Sequence, residues 1–227
     1  MKRAVPFLVA GVVAVALAVQ LDLEPRTRFD RLLAGEALRD GWQRTPEIVQ
    51  ALEARPGAAV ADIGAGDGYF TVRLARAVGP AGRVYAVDIV PKVLQRLRGR
   101  ARYEGLANIE VIEGGEDDPH LPVSGVDAAL LVMTYHEIPA HQAVLAAIRR
   151  SLKPGGRLVI IEAINEAERA KSRAEQEANH HLDARFVEAD LRDAGFDVEE
   201  RREPFLLQDG NTHWLIRAVV APRPPGA

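Results

Sequence analysis

Val60-Ala61-Asp62-Ile63-Gly64-Ala65-Gly66-Asp67-Gly68-Tyr69-Phe70 places three alternate glycines directly after a short apolar run. Ala58–Ile63 has the length and character of a buried strand, and Tyr69–Val78 has helical spacing up to Gly79-Pro80. The glycines therefore occupy a strand-to-helix turn. There the backbone can approach a ligand closely, and the helix N-terminus offers unpaired N–H groups. A dinucleotide-binding loop, G-x-G-x-x-G counted from Gly64, needs a third glycine at position 69, which is Tyr. The spacing here is instead D-x-G-x-G-x-G, from Asp62 to Gly68.

The same alternation of strand and helix continues outward from this turn. Arg83–Asp88, Ile109–Glu113, Asp127–Met133 and Arg157–Glu162 read as strands; Pro91–Glu104 and Pro139–Leu152 read as helices, the second closed by Lys153-Pro154-Gly155-Gly156. Strands alternating with helices predict a doubly wound α/β domain, a parallel sheet covered on both faces. Upstream, Thr45-Pro46-Glu47 reads as an N-cap, a first-turn proline and an acidic first turn, opening a helix to about Ala54. Downstream, Ala167–His181 reads as a polar helix and Phe186–Ala194 as a short one. Asp197–Leu207 and His213–Ala221 follow closely enough to form an antiparallel pair at the sheet edge. The domain spans residues 42–221, behind a polar lead-in over 22–41 and ahead of a Pro-rich tail over 222–227.

The 227 residues are 48% hydrophobic and 27% charged, which is ordinary globular composition. The net charge is −3 with no basic block, so nucleic acid is not an expected partner. The absence of cysteine excludes disulfides, thiolate metal sites and cysteine nucleophiles. At the N-terminus, Lys2 and Arg3 precede an apolar run from Ala4 to Val19, with no charge until Asp22. Two readings of residues 1–21 stay open: a signal peptide exporting the domain to the periplasm, or an uncleaved membrane anchor acting through residues 4–21. Arg26, Arg28 and Arg31 compete with Lys2 and Arg3 in setting orientation.

Asp88 ends the second strand 24 residues after Gly64, where an acid can accept hydrogen bonds from both hydroxyls of a ribose. Taken together, the Asp62–Gly68 loop, Asp88, the Asp127–Met133 strand and Leu152-Lys153-Pro154-Gly155-Gly156 resemble the class I S-adenosylmethionine-dependent methyltransferases. The branch most similar is the small-molecule and quinone one, and the resemblance covers roughly residues 42–221. It implies a Rossmann-like sheet of seven strands with the last antiparallel, and S-adenosyl-L-methionine as cofactor. It further implies that Gly64, Ala65, Gly66 and Gly68 border the methionine part of the cofactor, with Asp62 near its amino group. Asp88 would hold the ribose, Ile89 would pack on the adenine, and Met133 would stand beside the cofactor. Many relatives carry Gly-Asp after the third strand; here Gly115 stands at the acid's position, so Glu116 or Asp117 is expected to substitute.

Acceptor chemistry is expected at the end of the fourth strand, in Met133-Thr134-Tyr135-His136-Glu137. His136 is the candidate base, with Tyr135 shaping the pocket and Glu137 orienting the imidazole. No Asn-Pro-Pro-Tyr-type motif is present, which argues against the amino groups of nucleic-acid bases and leaves a small or lipophilic acceptor. His180-His181 lies in the polar segment; adjacent histidines on a helix face apart, so a solvated helix and no metal ligand set is expected there. A catalytically inactive S-adenosylmethionine-binding protein is the alternative function.

Overall fold

The computed structural model describes residues 29–220. The expectations for residues 1–21 and 222–227 lie outside that range. Residues 29–40 are helical and belong to a unit that ends at Gly41. No helix among the described residues is long and apolar enough to cross a membrane.

From Trp42 onward the chain forms a seven-stranded sheet with helices interleaved. The strands are β1 (Ala59–Ile63), β2 (Arg83–Asp88), β3 (Ile109–Glu113), β4 (Val126–Val132), β5 (Leu152–Ile164), β6 (Phe196–Gln208) and β7 (Asn211–Val220). The helices are α1 (Thr45–Ala51), α2 (Tyr69–Val78), α3 (Pro91–Tyr103), α4 (His141–Ser151), α5 (Arg173–Ala178) and α6 (Ala184–Asp193). The spatial order is β3-β2-β1-β4-β5-β7-β6. All neighbouring pairs are parallel except those made by β7, which runs against both β5 and β6. The order reverses between β1 and β4, which opens a crevice beyond their carboxyl ends.

Both faces of the sheet are buried around β1 and β4, which is why these strands are mainly apolar rather than alternating, with Asp62 and Asp127 as the exceptions. On one face Ala61, Leu131 and Ile160 pack with Leu145 and Ile148 of α4 and with Trp214 of β7. On the other, Val60, Leu130 and Val159 pack with Phe70 and Leu74 of α2. The charged run Glu199–Glu203 falls on β6, the outermost strand, where its side chains pair across the edge.

Four local expectations differ from what is observed. Thr45 is the first residue of α1 and not its cap. Arg44, in the left-handed region at φ 52°, precedes it, and the Thr45 hydroxyl instead meets the Tyr69 hydroxyl at 3.0 Å in the core. The helix stops at Ala51, ahead of the left-handed Glu53. Strand β5 begins at Leu152, so Lys153–Gly156 form an irregularity in its ladder with β4 and not a helix-to-strand turn. The polar segment is helical only over Arg173–Ala178, because the Ser172–Glu175 capping box starts the helix there.

Asp127 ties the lower end of the sheet together. Its carboxylate accepts from Ala59 N and Lys153 Nζ, both at 2.8 Å. Partial burial pushes this carboxyl up, but the two donors outweigh it and hold it below the ordinary carboxylate range. The folded value is therefore lower than the unfolded one. The stabilisation is present above the unfolded value and is lost as pH falls through the folded one. Asp127→Asn is expected to cost about 1 kcal/mol at neutral pH, allowing for solvent screening of a partly exposed pair. The difference from wild type should shrink below about pH 4. Urea denaturation at several pH values checks both.

Candidate active site

The crevice at the β1/β4 switch is a cleft of about 360 Å³, lined along one wall by Ile63, Gly64, Gly66, Asp88 and Ile89 and along the other by Met133, Thr134 and Glu137. That volume suits a ligand of cofactor size. The glycine turn closes its floor. Gly64 has φ 75°, and a Cβ there would lie 2.3 Å from the Thr134 hydroxyl, so β1 and the turn after β4 touch backbone to side chain. Gly66 (φ 55°) has nothing within 4 Å of a Cβ position and leaves its face of the cleft open. Asp88 fixes the other side of the turn: its carboxylate accepts from Gly66 N and from Val90 N, each at 3.0 Å.

Of the residues expected to bind cofactor, Gly64, Gly66, Asp88, Ile89, Glu116 and Met133 line the cleft, and Gly115 lines it beside Glu116. Asp62, Ala65, Gly68 and Asp117 do not. Asp62 is 3% exposed and accepts from the Thr71 hydroxyl at 2.5 Å, so it braces the strand-to-helix turn from behind. Ala65 packs with Ala86 and Leu97. Gly68 (φ 85°) precedes α2, where a Cβ would fall 2.3 Å from Leu97 Cδ1; its small size serves packing against α3. The loop carbonyl of Asp67 is held by buried Arg100 at 2.8 Å.

The turn after β4 is organised by a residue outside the expected set. Glu162, fully buried near the end of β5, accepts from Thr134 N at 2.9 Å and Tyr135 N at 2.6 Å through one oxygen. Its other oxygen lies 2.8 Å from His136 Nδ1. A carboxylate can only accept, so Nδ1 carries a proton, and Nε2 is left on the side of His180 and Glu137. Burial disfavours the charged ring, but the hydrogen bond and charge of Glu162 outweigh it and hold the imidazole above its ordinary value. Glu162 orients His136; Glu137 does not, because it follows His136 on the turn Tyr135–Glu137 and its side chain is 62% exposed, 3.8 Å from Nε2. The available signal was a single acid closing the apolar run Leu158–Ile161.

Tyr135 is also placed differently from expectation. It is fully buried, and its hydroxyl donates to Asp190 of α6 at 2.9 Å, away from the cleft. Burial, with Asp190 beside it, pushes the phenol far above its usual range, so it keeps its proton. Arg173 pairs with the same carboxylate at 2.7 Å. His180 is likewise not on a continuing helix: with α5 ended at Ala178, it takes φ 56° and sets its ring against His136.

The profile of the methyltransferase domain family matches residues 54–212, and the chain belongs to that family. A demethylmenaquinone methyltransferase from Geobacillus sp. strain WCH70 is 27% identical over 134 residues, 59% of this chain and 57% of that one. A protein-L-isoaspartate O-methyltransferase from Ignicoccus hospitalis is 31% identical over 113 residues, 50% of this chain and 51% of that one. The chain thus spans about half the length of the curated relatives it matches. A crystal structure of an S-adenosylmethionine-dependent methyltransferase from Aquifex aeolicus is 26% identical, with a TM-score of 0.67, over 78% of this chain and 90% of that one.

Tyr135→Phe is expected to leave cofactor affinity within twofold of wild type while lowering stability by about 1 kcal/mol, the worth of one buried hydrogen bond. Calorimetry and urea denaturation on the same variant separate the two effects. A large loss of affinity without loss of stability would return Tyr135 to the cleft.

Proposed function

We propose that this chain transfers the methyl group of S-adenosylmethionine to a small, lipophilic acceptor. The observation that carries the cofactor is the meeting of Asp88 with the open glycine turn at the β1/β4 switch. Asp88 keeps lone pairs for a ribose diol beyond those used by Gly66 and Val90. Ile89, Val90 and Pro119 supply apolar surface for the adenine, and Glu116 stands in for the missing acid at Gly115. Met133, at φ 51°, and Thr134 line the wall for the methionine part. When bound, the cofactor supplies an electrophilic methyl group.

Methyl transfer is an in-line displacement in which the sulfonium charge disappears. The protein gains mainly by positioning the acceptor and excluding water. The Met133–Glu137 turn is the side proposed to meet the acceptor, with His136 held there through Nδ1 by Glu162. A lipophilic acceptor draws support from the relative named as a demethylmenaquinone methyltransferase, and from the apolar run over residues 4–19. We place that run in a membrane, with the domain on the cytoplasmic side where the cofactor is made. Protease added to intact spheroplasts should then leave the domain uncut, and digestion from outside would reject this placement.

Calorimetric titration of the chain with S-adenosylmethionine and S-adenosylhomocysteine tests the cofactor. Saturable binding of both is expected, weakened at least tenfold, about 1.4 kcal/mol, in Asp88→Ala. A folded protein that binds neither would overturn the proposal.

A further inference from the structure

His180 has no part in the function proposed above, yet the fold holds it beside His136. His180 Nδ1 lies 3.4 Å from His136 Nε2, and Glu137 Oε1 lies 3.8 Å from the first histidine's Nε2 and 3.9 Å from the second's Nδ1. The three potential ligand atoms thus form a nearly equilateral triangle. Bonds of about 2.0–2.2 Å to a tetrahedral ion put ligand atoms about 3.3–3.6 Å apart. The triangle is close to that size, and its longer edges belong to the exposed carboxylate of Glu137, which can turn. A direct hydrogen bond explains the histidine pair less well, because 3.4 Å is long for a ring N–H donor.

Two further features are those of a ligand set. Glu162 holds His136 by Nδ1 and leaves Nε2 on the side of His180 and Glu137, the carboxylate–histidine arrangement that orients metal ligands. The segment bearing His180 is pinned, although the side chain itself is 75% exposed. His181 N donates to Gln176 O at 2.8 Å, Leu182 N to Ala163 O at 2.9 Å, and Trp214 Nε1 to Leu182 O at 2.8 Å. The left-handed backbone of His180 is therefore imposed by its surroundings.

We propose that His136, Glu137 and His180 bind one divalent transition-metal ion of the zinc type, with the fourth position open to an oxygen of the acceptor. Two imidazoles and one carboxylate suit a borderline ion. Magnesium and calcium take oxygen-rich shells instead. Glu137 also lines the cofactor cleft, so the ion borders it. The ion site stands on the three side chains alone; only the use of its fourth position rests on the methyl-transfer reading.

The test is titration of the metal-stripped full chain, without cofactor, first with Co²⁺ followed by visible absorption and then with Zn²⁺ against a chromophoric chelator. One ion per chain is expected, with the absorption of a tetrahedral or five-coordinate site. His180→Ala should weaken Zn²⁺ at least tenfold, while His181→Ala, whose ring meets Asn179 O and Asn211, should not. His136→Ala should do the same as His180→Ala, but it strips buried Glu162 of a partner, so the exposed His180 is the decisive position. Failure to bind one ion per chain, or unchanged affinity in His180→Ala, overturns the proposal. Cofactor binding is read separately by calorimetry, so its failure would count against methyl transfer and not against the ion.

Discussion

The carboxylate of Glu162 is taken wholly out of water, and the turn after β4, which forms one wall of the cleft, is built on it. Burying a charge costs several kcal/mol unless donors surround it. Here the donors are Thr134 N, Tyr135 N, His136 N and His136 Nδ1, all from the turn that follows β4. One acid on β5 therefore fixes the path of the neighbouring strand's exit. It sets the left-handed Met133 against the cleft, points Tyr135 down toward Asp190 and leaves only Nε2 of His136 to meet His180 and Glu137. Each of these placements would relax if the acid were lost, because these N–H groups would lose their buried partner.

On the opposite side, the cleft wall formed by the glycine turn divides its glycines by task. Gly66 faces open space, whereas Gly64 and Gly68 are small because Thr134 and Leu97 occupy the volume a side chain would need. Asp62 and Asp88 divide similarly. Asp62 is spent on Thr71 inside the turn, while Asp88 reaches the cleft at the end of β2. The motif is thus half cleft lining and half packing device, and both halves are needed to bring β1, β2 and β4 to one crevice.

The two sides meet through the antiparallel strand β7. Its Trp214 is buried against the β5 face and bonds Leu182 O, which holds the segment between β5 and α6 over the turn after β4. His180 reaches His136 only because that segment is tied down at Leu182 and stopped as a helix at Ala178.

The sequence by itself determined the parallel α/β order, the position of the glycine turn, the acid at Asp88 and the reversed last strand. These follow from local periodicity, glycine spacing and short connections, all of which are written within a few residues of one another. It also singled out Met133–Glu137, of which Met133, Thr134 and Glu137 line the cleft. Tertiary structure alone decided which of those residues face the cleft. Tyr135 and His136 are neighbours in the chain, yet one is buried toward α6 and the other is turned toward His180. The pairings Glu162–His136, Tyr135–Asp190 and His136–His180 join residues 26, 55 and 44 positions apart. No local pattern encodes such distances; they exist only once the β4–β5 ladder and the Trp214 anchor have brought those segments together.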